Sequence, residues 1–262
     1  MPALRYYGGK FRLGRKICHL FPDHECYVEP FGGAAGVLMR NDPSPIELYN
    51  DLDRRVVNFF RVLRENPRDL IRAVERTPFS REEFDAAFHP SEAPVEDARR
   101  YFVLAWQSFG GPRTNKKTGW KCQKRVWENS RAHHMDEYRS AARNLVAVAR
   151  RLRTVQIECD DAFRVIARYD SPRALFYVDP PYPADTRNES WCRSAYNFEF
   201  SSMQHELLAA ALKRCKGAVV VSSYPNAQYD QLFSEWEKVE FYIQTMNGSI
   251  ATEVLWLKAR AE

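Results

Sequence analysis

Asp179-Pro180-Pro181-Tyr182 is the part of the sequence with the most specific chemistry. The four residues follow an apolar run, 175–178, that reads as a strand, so they fall at a strand's C-terminal end. In open α/β sheets, ligands bind at that edge. Two successive prolines remove two N–H donors and fix φ, which stiffens the turn. A heteroaromatic amine is a weak nucleophile because its lone pair is delocalised into the ring. Two acceptors aimed at its two N–H bonds draw the nitrogen toward a tetrahedral form. The Asp179 carboxylate and the Pro180 carbonyl are a candidate pair. Tyr182 offers a flat face for a base, and such stacking contributes about 1–3 kcal/mol. Asp179 needs only to accept and orient while the amine attacks, with the proton leaving afterwards. A rigid surface turn is the other reading of the same four residues, and alone they do not choose between the two.

Two further features have the right types for a nucleotide-like ligand. Phe31-Gly32-Gly33-Ala34-Ala35-Gly36 follows the short apolar run Cys26–Glu29, and its small residues allow close approach to the backbone. It does not match G-x-G-x-x-G, and a plain strand–turn–helix joint explains it equally well. Glu29, at the strand end, could face a cationic group. Asp51 ends the next strand, where a carboxylate can accept from ribose hydroxyls. Asp53 could substitute for it, and a helix N-cap is the plainer role for an acid here. No metal site is expected. The six cysteines, at 18, 26, 122, 159, 192 and 215, form no C-x-x-C pair. His133-His134, His89 and His205 lack helical spacing or an acidic cluster, so they read as ordinary histidines.

These residues need a parallel sheet to position them. Cys26–Glu29 and Ile46–Asn50 read as strands. Val37, Leu38 and Met39 suggest a helix after the first, and Val56, Val57, Phe60, Val62 and Leu63 a helix after the second. The strand–helix rhythm resumes with strands at 154–158, 175–178 and 218–222 and helices at 162–168, 203–214 and 229–236. The runs 239–244 and 253–257 read as closing, antiparallel strands. The middle is helical: 67–76, a capping box at Ser80-Arg81-Glu82-Glu83, 95–109 and 133–152. The fold class is therefore α/β, with a mostly parallel sheet formed by residues 1–60 and 151–262 and a helical insertion over 61–150.

Within the insertion, residues 107–131 hold seven Lys and Arg against one acid, Glu128, with Trp120 and Trp127 interleaved. The overall formal charge is +5, a mild bias that decides nothing by itself. The basic N-terminus has no apolar h-region, and no apolar run approaches the ~18–20 residues of a membrane span. The scattered cysteines suit the reduced thiols of a cytoplasmic protein rather than a disulfide framework.

Taken in order, the pieces resemble the Dam-type family of adenine-specific DNA methyltransferases, especially its phage-like members. Tyr6-Tyr7-Gly8-Gly9-Lys10 is similar to the family's N-terminal aromatic-Gly-Gly-Lys motif. Val28-Glu29-Pro30-Phe31-Gly32-Gly33 is similar to its cofactor loop. Asn50-Asp51-Leu52-Asp53 falls where the ribose-binding acid belongs, and Asp179–Tyr182 resembles its DPPY motif. Thr252-Glu253-Val254-Leu255-Trp256-Leu257 also resembles the family's close. The resemblance implies a Rossmann-like methyltransferase sheet carrying a target-recognition insertion. It implies S-adenosylmethionine as cofactor, lined by Tyr6, Lys10, Glu29, Phe31, Gly32, Gly33, Asp51, Asp161 and Asp179. The family often places an aromatic directly after the adenine-binding Asp. Here Ala162 intervenes, so Asp160 and Asp161 both stand as candidates. Asp179, Pro180 and Tyr182 would be catalytic, Tyr196 would help cover the target base, and the adenine would be extruded from the duplex.

Under the same resemblance the basic segment becomes the candidate DNA contact, with Gln107, Arg113, Asn115, Lys116, Lys117, Trp120 and Lys121 foremost. A solvated basic loop is the bland alternative. The implied partner is double-stranded DNA, met by a monomer, with no membrane and no metal. Restriction-modification, regulation and phage-genome protection all remain open as the biological role. The rival readings are an RNA or cytosine-amine methyltransferase, a catalytically idle nucleic-acid-binding protein, and a nucleotide-dependent oxidoreductase. The absence of G-x-G-x-x-G speaks against the last.

Overall fold

The structure, a computed structural model, describes residues 1–6, 8–109, 111–112, 118–122, 134–183, 198–244 and 250–260. Its strands are β1 (Cys26–Glu29), β2 (Ile46–Asn50), β3 (Val155–Glu158), β4 (Ala174–Val178), β5 (Ala218–Ser223), β6 (Glu237–Gln244) and β7 (Ile250–Lys258). They form one seven-stranded sheet in the order β3-β2-β1-β4-β5-β7-β6. β1 runs parallel to both β2 and β4, and β4 parallel to β5. β7 runs antiparallel to β5 and to β6. The expected α/β class and the closing antiparallel strands are both present.

The chain divides into two compact units. The first comprises residues 1–18, 33–41 and 53–157, and the second residues 19–32, 42–52 and 158–262. The first is mainly helical: α1 (Gly14–Cys18), α2 (Arg54–Glu65), α3 (Pro67–Arg76), α4 (Arg81–Ala86), α5 (Pro94–Gln107) and α6 (His134–Arg151). Asp53 caps α2 by accepting from the Arg55 N–H at 2.9 Å, which satisfies one of the helix's orphan donors. Ser80 caps α4 through the Glu83 N–H; of the expected capping box only this half is present among the described residues, the Glu83 carboxylate pairing with Arg99 at 2.6 Å. Pro67 and Pro94 open α3 and α5, the position where a missing N–H costs nothing. Phe59, Phe60, Leu70, Val74, Phe102 and Leu145 are fully buried and close the core.

The second unit contains α7 (Ala162–Tyr169), α8 (Ser202–Arg214) and α9 (Ala227–Leu232). All three helices bury apolar residues against one sheet face. That face presents Cys26 and Val28 of β1, Phe176 and Val178 of β4, Val219 and Val221 of β5, and Val254 and Trp256 of β7. Every second residue belongs to it, so the alternate residues Tyr27, Glu29, Tyr177, Ser222 and Glu253 project from the opposite face. That alternation decides where the polar side chains go.

Two expectations need correction. Residues 33–40 form a run of turns rather than a helix. Gly33 (φ 46°) and Ala35 (φ 54°) both adopt left-handed conformations, which break a right-handed helix. A Cβ on Gly36 would come within 2.8 Å of the Phe11 backbone. The last helix also starts earlier than residue 229, because Asn226 caps it by accepting from the Tyr229 N–H at 2.7 Å. It ends at Leu232, since Phe233 leaves helical geometry.

Candidate active site

Strand order reverses between β1 and β4. From β1 the chain continues to β2 on one side, and from β4 to β5 on the other. The C-terminal ends of parallel strands at such a reversal splay apart and leave a crevice. Val28 pairs with Phe176 in the β1–β4 register. The two strands therefore end side by side, one running into Pro30-Phe31-Gly32 and the other into Asp179-Pro180-Pro181-Tyr182. The glycine-containing turn and the DPPY turn, far apart in sequence, leave the sheet at one edge.

Asn50 pins the neighbouring strand ends. Its amide donates to the Pro30 carbonyl at 2.9 Å and to the Asp160 carbonyl at 3.0 Å. Its oxygen accepts from the Asp160 N–H at 2.9 Å. This fully buried side chain thus ties the exit of β1 and the β3–α7 connection to the end of β2. Gly32 completes the fit. Its N–H donates to the Asn50 carbonyl at 2.7 Å, and a Cβ there would lie 2.2 Å from the Tyr49 ring.

Glu29 is buried at 2% exposure and accepts from the Tyr27 hydroxyl at 2.6 Å. Asp51, half-buried, follows Asn50 at the end of β2. Asp161 caps α7, with Oδ1 accepting from the Phe163 and Arg164 N–H groups. Asp160 pairs instead with Arg168 at 2.8 Å and accepts from the Asp161 N–H. The Arg168 guanidinium, with that N–H, holds the Asp160 carboxyl below the ordinary range. Phe31 meets Phe200 edge-on at 5.5 Å, and Phe200 lies parallel to Phe163. The three rings pack against the apolar core beneath α7 and α8, with Phe163 donating its N–H to Asp161.

In the DPPY turn, Asp179 is half-buried and Pro180 buried. Among the described residues, nothing donates a hydrogen bond to the Pro180 carbonyl. Tyr182 is 2% exposed. Its ring meets Tyr224 edge-on at 4.8 Å, and its hydroxyl donates to Glu253. The Tyr177 phenol is pushed well above its ordinary value by burial, then by the Asp179 carboxylate, with Glu253 and Glu29 adding to it. It therefore stays protonated beside three acids.

In the first unit, the Lys10 ammonium is buried and donates to the Gly8 carbonyl at 2.8 Å. The Tyr6 ring packs over Gly33, where a Cβ would lie 3.3 Å away. Trp120 donates its indole N–H to Gln107 at 2.9 Å, and the Arg81 guanidinium lies over its ring. Lys121 is turned inward at 5% exposure and donates to the Trp106 carbonyl at 3.2 Å. Burial, followed by the Arg5 charge, lowers its pKa to about 8. Arg113, Asn115, Lys116, Lys117 and Tyr196 lie outside the described residues.

Residues 6–246 match the profile of the D12 class N6 adenine-specific DNA methyltransferases. The chain belongs to this family. It is also 25% identical over 224 residues to a DNA adenine methylase of Haemophilus influenzae, a match spanning 81% of this chain and 74% of that protein. The methyltransferase thus carries its DPPY turn and its glycine-containing turn on adjacent strands. Sequence reasoning missed Asn50, Phe163, Phe200 and Ser222. Asn50 had only its place before Asp51 as a signal, and Ser222 only its place in the alternation of β5. Among the described residues no group of His, Cys, Asp and Glu could hold a metal ion, and no helix is long and apolar enough to cross a membrane. Cys18, Cys26, Cys122, Cys159 and Cys215 are free thiols.

Proposed function

We propose that this methyltransferase takes its methyl group from S-adenosylmethionine and delivers it to an adenine extruded from double-stranded DNA in the cytoplasm. The carrying observation is the Pro180 carbonyl, left without a hydrogen-bond donor among the described residues beside the Asp179 carboxylate. Asp179 accepts one N–H of the adenine amine and Pro180 the other. The amine nitrogen becomes pyramidal and presents its lone pair, and its proton leaves by way of Asp179 once the nitrogen is alkylated. When bound, the cofactor supplies an electrophilic methyl on a sulfonium.

The residues fit that donor. Glu29, a carboxylate kept from water at the end of β1, offers a counter-charge to its ammonium. Asp51 accepts from the ribose hydroxyls. Asp161 is the better of the two candidates for the adenine amine, because its Oδ2 has no partner among the described residues while both oxygens of Asp160 are engaged. Phe31, Phe163 and Phe200 suit the adenine ring. Tyr6, Lys10, Gly32 and Gly33 complete this reading, with the glycines allowing close backbone approach.

Extrusion of the base costs a few kcal/mol, offset in part by stacking on Tyr182. Arg113, Asn115, Lys116, Lys117 and Trp120 are assigned to the DNA backbone and base edges; Lys121, expected among them, is instead turned inward onto the Trp106 carbonyl. The test is incubation with labelled S-adenosylmethionine and DNA from a host without adenine methylation, followed by nucleoside analysis. Label in N6-methyladenine supports the reading. Label in methylcytosine, or no transfer from this donor, refutes it.

A further inference from the structure

The alternation that sends apolar residues to one sheet face sends a line of polar ones to the other. Glu29 on β1, Tyr177 on β4, Ser222 on β5 and Glu253 on β7 lie on adjacent strands of the sheet order. Glu253 is 2% exposed and Ser222 fully buried. One oxygen of Glu253 accepts from two hydroxyls, Tyr182 at 2.5 Å and Ser222 at 2.5 Å. The two hydroxyls are themselves 3.4 Å apart.

A carboxylate taken this far out of water is costly, and a well-packed apolar side chain is often the more stable occupant of such a place. Leu255 and Val220, the neighbours of this cluster on β7 and β5, are apolar. The shared oxygen does what an apolar side chain cannot: it holds one hydroxyl at a fixed point. A tyrosine gripped at its hydroxyl and backed edge-on by Tyr224 can neither tilt nor slide.

We infer that Glu253 is a positioning residue for catalysis: with Ser222 it fixes the position and tilt of the Tyr182 ring at the end of the DPPY turn, while the edge-on Tyr224 resists its rotation, and so sets the place of the target adenine. The inference rests on the reading of that turn given above. It assigns the Tyr182 hydroxyl to the scaffold and leaves only the ring for the base.

Kinetics with labelled S-adenosylmethionine and unmethylated DNA test it, using Tyr182→Phe, Glu253→Leu, Glu253→Gln, the double variant Tyr182→Phe/Glu253→Leu, and Asp179→Ala. Misplacing a reacting group by about 1 Å costs on the order of 100-fold. Tyr182→Phe and Glu253→Leu should therefore each lower kcat by about 10- to 100-fold, with KM for the donor unchanged. Glu253→Gln keeps an acceptor oxygen and should recover most of the loss. The double variant should be no slower than the worse single, because both remove one interaction. Unimpaired kcat in Tyr182→Phe, a loss that falls on donor KM instead, or fully additive losses would overturn the inference. If Glu253→Leu fails to fold, Tyr182→Phe and Glu253→Gln still decide it. An inactive Asp179→Ala beside fully active positioning variants would sink only this inference. An active Asp179→Ala would sink the reading of the turn.

Discussion

Replacing Asn50 with alanine removes three hydrogen bonds at once: two donations, to the Pro30 and Asp160 carbonyls, and one acceptance from the Asp160 N–H. The side chain is fully buried, so water does not readily replace it. At about 1 kcal/mol net for each bond, the loss is about 3 kcal/mol. For a protein of this size that corresponds to a fall in melting temperature of about 6–12 °C. The Pro30–Gly32 turn keeps its backbone bond from Gly32 to Asn50 but loses the side-chain tie at Pro30, so affinity for S-adenosylmethionine should fall with it. Asn50→Asp sharpens the test. It keeps the acceptor for the Asp160 N–H but aims a carboxylate at two carbonyls, so it should be at least as unstable as alanine at neutral pH. It should partly recover as acid protonates the carboxyl and restores a donor. Melting followed by circular dichroism, with calorimetric titration of S-adenosylmethionine, measures both effects. An unchanged melting temperature and unchanged donor affinity in Asn50→Ala would refute the argument that this residue holds the strand ends together.

Gly32→Ala forces a methyl to within 2.2 Å of the buried Tyr49 ring; a stability loss of about 1–3 kcal/mol is expected, read by urea denaturation, with weaker donor binding by titration. Lys121 has a folded pKa of about 8, below its ordinary 10.5. The unfolded chain therefore binds more protons between those values, and the stability cost of the buried charge is relieved as pH rises from 8 to 10.5. Lys121→Met should remove that rise from the pH–stability curve, and a curve parallel to wild type would contradict the burial argument. Arg99 and Arg100 bring the Glu96 carboxyl down from 4.5 to about 2, mainly through the Arg99 hydrogen bond. Its contribution is present above pH 4.5 and is lost as pH falls toward 2. Glu96→Gln should cost about 1 kcal/mol at pH 7, a value reduced for partial exposure, and should converge on wild type in acid.

The strands were legible because β1, β2, β4 and β5 are short apolar runs ended by turn residues, and because Asp179–Tyr182 and the Pro30–Gly32 turn are chemically distinctive. The helix expected at 37–39 is reduced to turns: Met39 and Asn41 bond back to Ala35 and Val37, but positive φ at Gly33 and Ala35 denies the segment a helical first turn. The partnership of Tyr182 with Glu253 was hidden because it joins residues from β5, β7 and a turn, which only strand register brings together. Lys121 read as one of seven basic residues in a polar stretch. Its burial follows from Trp106 and Gln107 pairing with the segment through tertiary contacts that charge counting does not register.

The most direct measurement is single-turnover methyl transfer by wild type and Asp179→Ala, with N6-methyladenine counted by mass spectrometry and donor binding followed in the same preparations. Wild type should form N6-methyladenine. Asp179→Ala should remain folded and form none. N6-methyladenine accumulating at a near-normal rate in the folded variant would contradict the role given to the Asp179–Pro180 acceptor pair.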